Sequence, residues 1–120
     1  MKLNKNELEP VLEVGGSTLR RASWGGFSAM INSYAAGADF TPLLKGLEGD
    51  MCQCPHWGYV LKGALHLRYS DGREEVFSAG DIWYSPPGHT GWVEEDTDVV
   101  EFSPENEFAE VFGHIKSQVG

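Results

Sequence analysis

Cys52, Cys54 and His56 occupy alternate positions in one short stretch of chain, and His89 follows a turn rich in proline and glycine. On an extended strand alternate side chains leave from the same side, so the spacing predicts two thiols and an imidazole projecting together, with His89 approaching from a neighbouring segment. Two thiolates and two imidazoles suit zinc, which prefers a tetrahedral shell and accepts mixed sulfur and nitrogen ligands. Asp50 lies one step earlier in the same alternation and can replace a thiolate; the oxygen-richer set suits iron, manganese or nickel. Pro55 can bend the strand and turn Cys54 away, which favours Cys52, His56 and His89 over Cys54 as ligands. The same Cys-x-Cys also reads as two small apolar fillers of a buried strand, so metal binding and packing both stand at this point. A disulfide between the two is not expected, because residues one apart on a strand strain badly when bridged.

The elements that must hold these residues are short. From about Val11 to Phe102 the chain breaks into apolar or alternating runs separated by glycine, proline and Asp-Gly signals, the pattern of an antiparallel sandwich or barrel with no helical period between. The clearest hairpin joins Ala64–Tyr69 to Glu74–Phe77 through Ser70-Asp71-Gly72-Arg73, where Asp71-Gly72 supplies the positive backbone angles of a tight turn. Leu65, Leu67 and Tyr69 share one face of that strand and are expected in the core, with His66 and Arg68 outside. At Ser103-Pro104-Glu105 a capping hydroxyl, a proline and an acidic first turn signal a helix start. Phe108, Val111, Phe112, Ile115 and Val119 then recur at helical spacing, and this stripe needs a barrel or a second subunit to cover it. The expected division is a flexible segment over 1–10, a β-barrel over 11–103 and a C-terminal helix over 104–118.

With 120 residues the chain is expected to form one domain around a single core. Nine basic against eighteen acidic side chains give a formal charge of -9, which repels phosphate backbones and anionic lipid surfaces and argues against nucleic acid or membrane as partners. Met1–Pro10 lack the pattern of a secretory signal and no apolar run is long enough to span a bilayer, so a cytoplasmic protein is expected.

Pro55–Gly63, followed by Gly80-Asp81-Ile82-Trp83-Tyr84-Ser85-Pro86-Pro87-Gly88-His89, resembles the two conserved motifs of the cupin superfamily. In that family the first motif carries two histidines one residue apart, a glutamate and a closing glycine; the second runs from a glycine through a Pro-x-Gly turn to a histidine. Gly80, Pro86 and Gly88 match the second motif, and Tyr59-Val60-Leu61-x-Gly63 is similar to the strand and turn that close the first. The resemblance implies an all-β fold, a single jelly-roll barrel with a C-terminal α-helix, and a site inside it. Gly63 and Gly80-Asp81 are expected at hairpin corners where a side chain would clash.

The ligand positions depart from the family pattern. Counted back from Gly63, the glutamate falls on His56 and the two histidines on Cys52 and Asp50. The last histidine falls on Gly91, while His89 stands two residues earlier and so on the same face. The resemblance therefore carries over location, with Cys52, Cys54, His56 and His89 as candidate metal ligands pointing into the barrel.

Trp57, Trp83, Tyr84 and Trp92 flank this region and read either as walls for a small organic ligand or as core and interface packing. His66 reads as a surface residue, His114 as a helix residue, and the acidic run Glu94-Glu95-Asp96-x-Asp98 as a solvated loop. Three functions follow: a metal-dependent enzyme acting on a small molecule inside the barrel, a non-enzymatic cupin that senses or binds a small ligand or closes around a structural metal, and a metal-free barrel that associates with partners. A homodimer is expected, and in the third reading the apolar helix stripe offers the face for it.

Overall fold

Runs of β-branched and aromatic residues bounded by glycine turns pair here in antiparallel register, as such side chains do on a half-buried pleated surface. The structure, a computed structural model, describes residues 1–119. Its strands are β1 (Pro10–Val14), β2 (Ser17–Trp24), β3 (Phe27–Tyr34), β4 (His56–Lys62), β5 (Ala64–Tyr69), β6 (Glu74–Ser78), β7 (Ile82–Ser85), β8 (His89–Trp92) and β9 (Thr97–Pro104). They form a six-stranded sheet in the order β1-β2-β3-β9-β4-β7 and a three-stranded sheet in the order β6-β5-β8. One short helix, α1 (Thr41–Leu44), precedes β4, and α2 (Glu105–Val119) ends the chain. This is the all-β jelly roll with a C-terminal helix that the resemblance implies.

The core fills the space between the sheets in two clusters. Tyr34, Val60, Leu65, Leu67, Tyr69, Phe77, Trp83, Val93 and Val99 form one; Met30, Leu44, Cys52, Cys54 and the helix residues Phe108, Val111 and Phe112 form the other. Leu65, Leu67 and Tyr69 face inward as their alternation requires. The stripe of α2 is covered by the chain's own barrel, and each of its three buried side chains contributes about 1.5–3 kcal/mol. Val119 at the end of the stripe stays exposed.

Several local expectations are corrected. The β5–β6 turn is closed by hydrogen bonds from Gly72 N to Tyr69 O and from Tyr69 N to Arg73 O, but only Gly72 takes a positive φ, 89°, and Asp71 instead accepts from Arg73 N. Gly63 sits where an added Cβ would lie 2.4 Å from Asp96 O, whereas Gly80 has open space and needs only its φ of 97°. The barrel begins at Pro10 rather than at 11, because that residue already pairs with Arg20. Ahead of it, Lys5–Glu7 form a 3-10 turn capped by the Asn4 side chain, and Arg20 Nε donates to Leu8 O. The helix begins at Glu105, not Pro104: β9 runs through Pro104, and the hydroxyl of Ser103 turns into the barrel rather than capping α2.

Candidate metal centre

His56 opens β4, and its side chain faces the interior because it alternates with the outward Trp57. Cys52 does not share that strand. Its backbone is clamped to the turn before β8, donating from N to His89 O at 2.8 Å while its carbonyl accepts from Gly88 N at 2.8 Å. That isolated bridge, not strand alternation, carries the thiol to the imidazole of His89. The potential ligand atoms of Cys52, His56 and His89 all lie within 4.8 Å of one another, and all three residues are buried. Cys52 Sγ is 3.4 Å from His56 Nε2, and the two imidazole rings are 5.0 Å apart.

Both rings are oriented from behind. His89 Nδ1 donates to Pro86 O at 2.8 Å, which leaves Nε2 with its lone pair free. His56 Nδ1 lies 2.7 Å from Ser103 Oγ, so its Nε2 faces Cys52. Such outer contacts fix the tautomer of a metal-binding histidine. Burial lowers the pKa of both imidazoles to about 4, with mutual repulsion adding to the effect at His89, so both are neutral bases at pH 7. Burial pushes the Cys52 thiol up to about 12, keeping its proton until a cation displaces it.

Two expected ligands are absent from this group. Cys54 is fully buried among the apolar residues against α2, its thiol directed to Pro55 O at 3.4 Å. The segment between Cys52 and His56 is not a regular strand, so the alternation that would have aligned Cys54 is broken. Asp50 lies on the surface in a short 3-10 turn and accepts from Gly46 N. Both cysteines are free thiols. Of the four flanking aromatics only Trp83 lines the interior; Trp57 and Tyr84 lie on the outer face of the large sheet, and Trp92 stacks on His66. His114 bonds to Lys45 O.

The residue that spacing did not reveal is Glu101. It points inward from β9 in the series Thr97, Val99, Glu101, Ser103, and its Oε2 lies 3.7 Å from His56 Nδ1. Burial raises its pKa to about 7, partly offset by His89. Because His56 is neutral at that pH, the contact is not an ion pair. A lone glutamate within Val99-Val100-Glu101-Phe102 was the available signal, since an acid inside an apolar strand needs a buried partner.

The group borders a cavity of about 100 Å³ between the sheets, with Leu65, Leu67 and Trp83 on one side and Phe108, Val111 and Ile115 of α2 on another. Asn32 and Ser85 also line it, and among the described residues Asn32 Oδ1 and Ser85 Oγ have no hydrogen-bond partner.

No family model matches the sequence, and no curated protein does. Solved structures do match in shape. An RmlC-like cupin from Shewanella frigidimarina superposes with a TM-score of 0.62 at 18% identity, covering 85% of this chain and 88% of that one. KdgF from Halomonas sp. gives 0.59 at 18% identity, covering 84% and 92%. Fe(II)-HppE, with the alternative substrate (S)-1-HPP, gives 0.61 at 8% identity, covering 86% and 59%. Shape shared this widely at such low identity is a statement about architecture, and the chain has the fold of the cupins.

Proposed function

We propose that the chain binds one divalent metal ion through Cys52, His56 and His89 and uses it on a small molecule held in the adjoining cavity. The observation that carries this is the convergence of a thiol and two outward-braced neutral imidazoles at the wall of a cavity with unsatisfied polar atoms. The donor set, a thiolate with two imidazoles, fits a borderline ion, zinc first and iron or nickel next; manganese would want the oxygen ligand that Asp50 does not bring. Three protein ligands facing a cavity match the arrangement that keeps a coordination position open for substrate, rather than the closed four-ligand shell. The likeness to Fe(II)-HppE adds weight to a metal within this fold. When bound, the ion would supply Lewis acidity or an activated water. Around it, Ser103 and Pro86 hold the imidazoles, Glu101 can carry a proton beside His56, and Trp83 with the helix stripe gives the chamber an apolar wall.

The non-enzymatic alternative, a closed structural site, would require Cys54 to leave its apolar packing and join the set. The test is elemental analysis of protein purified without chelator, then zinc, iron, manganese and nickel addition to the stripped protein. One metal per chain, lost in Cys52→Ser and His89→Ala while both variants remain folded, is the expected result. A wild-type chain with no metal and no metal-dependent shift in Tm would end the proposal.

A further inference from the structure

Two cavities of opposite character adjoin in this fold. The chamber beside Cys52, His56 and His89 has a volume of about 100 Å³; a second, of about 250 Å³, is lined by residues of β1, β2, the loop 36–40, α1 and α2. Leu19, Phe40 and Ile115 line both, so the two are neighbours across these side chains. Ala36, Gly37 and Asp39 border the second cavity and are exposed, which places it at the surface.

The inner chamber leaves a polar group unmet. Asn32 is 1% exposed, and among the described residues its Oδ1 has no hydrogen-bond partner. Its Nδ2 donates to Tyr34 Oη at 3.0 Å; with the amide turned over, the oxygen would be satisfied and the nitrogen stranded. Either way one end of a buried amide lining the chamber is unpaired, and such a group costs free energy until something bonds to it. The outer cavity makes no such demand. Its polar side chains are already engaged: Ser17 Oγ accepts from Ala35 N and Asp39 Oδ1 from Thr41 N, both at 2.9 Å. The rest of its wall is glycine, alanine and the hydrocarbon of Leu12, Val14, Leu19, Phe40, Leu43 and Ile115. Register sets the two demands side by side. Leu19 stands opposite Asn32 in the β2–β3 ladder, and side chains directly opposite on antiparallel strands leave the same face about 5 Å apart. The unpaired amide therefore sits next to a side chain that borders both cavities.

Resting on the reading of the inner chamber as the place where substrate is held, we infer that the substrate is a two-part molecule: a compact amide or hydroxyl head bonded to Asn32 in the inner chamber, and an aliphatic tail that passes Leu19 into the outer cavity. Volume sets the proportions. A cavity of about 150 Å³ accepts the six carbons of benzene, so the inner chamber takes a head of about four heavy atoms and the outer cavity a tail of about six to eight carbons.

Straight-chain primary amides from acetamide to octanamide keep the head and vary only the tail. Protein as purified, its metal content measured first, is titrated with each while NMR follows the Asn32 side-chain amide in the inner chamber and the Leu43 methyls in the outer cavity. Every member should shift Asn32, members from butanamide upward should also shift Leu43, and affinity should rise about threefold for each carbon added. Ala36→Trp, which fills the outer cavity from an exposed position, should hold hexanamide to the affinity of acetamide. Asn32→Leu should weaken every member about tenfold and leave the slope; if that variant does not fold, the wild-type series and Ala36→Trp decide alone. An affinity that does not grow with length, or that grows equally in Ala36→Trp, overturns the inference. Slope and metal content are separate readings. A metal-free chain whose affinity climbs with tail length ends the metal centre and keeps the two-part substrate, and a metal-loaded chain with a flat series does the reverse.

Discussion

At His56 and His89 burial does part of the work of a metal site, because an imidazole that resists protonation is always available to a cation. The same effect gives the metal-free protein a pH dependence. Both imidazoles hold near 4 when folded and return to an ordinary value of 6.5 when unfolded, so between those limits the unfolded chain takes up protons that the folded chain refuses. Their contribution to stability is present above 6.5 and lost as the pH falls toward 4. Glu101 acts in the opposite direction. Its folded value of about 7 exceeds the usual 4.5, so the folded chain keeps a proton that the unfolded chain releases, and stability falls as the pH rises through that window. Glu101→Gln is therefore expected to gain about 2–3 kcal/mol above pH 7 and nothing below 4.5, read from urea denaturation of stripped protein at the two pH values. At Cys52, a thiol held at about 12 must lose its proton on ligation, so zinc affinity measured by chelator competition should tighten about tenfold per pH unit from 6 to 8. A flat profile would remove Cys52 from the ligand set. Ser103→Ala, which frees the back of His56, should weaken metal binding about 10–100-fold.

Between β4 and β5 the chain reverses at Gly63, whose φ of 80° and crowded surroundings (Asp96 O at 2.4 Å and Thr97 Oγ1 at 2.5 Å from a Cβ) exclude any side chain. Gly63→Ala should cost about 3 kcal/mol or more, while Gly80→Ala, with strained φ but open space, should cost about 1–2 kcal/mol; urea midpoints separate the two. The turns and the β5–β6 hairpin were legible in sequence because glycine placement and period-two alternation are local signals. Cys54 shows the limit of that signal: alternation presumes a continuous strand, the strand starts only at His56, and Pro55 is the residue that warns of the break. The partnership of Glu101 with His56 was not legible, because it depends on β9 lying beside β4, a pairing between distant segments. The neighbours of Ser103 spell a helix cap, yet its hydroxyl is drawn inward to His56 by that same pairing. The four-residue α1 is too short to show a helical period.

Over the whole molecule the charge of -9 makes like chains repel one another at a distance, an effect that salt screens. None of the helices is long and apolar enough to cross a membrane among the described residues. The large sheet, the small sheet and α2 all line the cavity, and α2 contributes Phe108, Val111 and Ile115 to its wall. That shared wall ties the chamber's contents to the behaviour of the chain's last turns. A guest that presses on those three side chains slows the fraying of the helix that carries them, and one that leaves lets its amides exchange with solvent faster. Deuterium uptake at the end of the polypeptide thus becomes a gauge of whether its interior is filled.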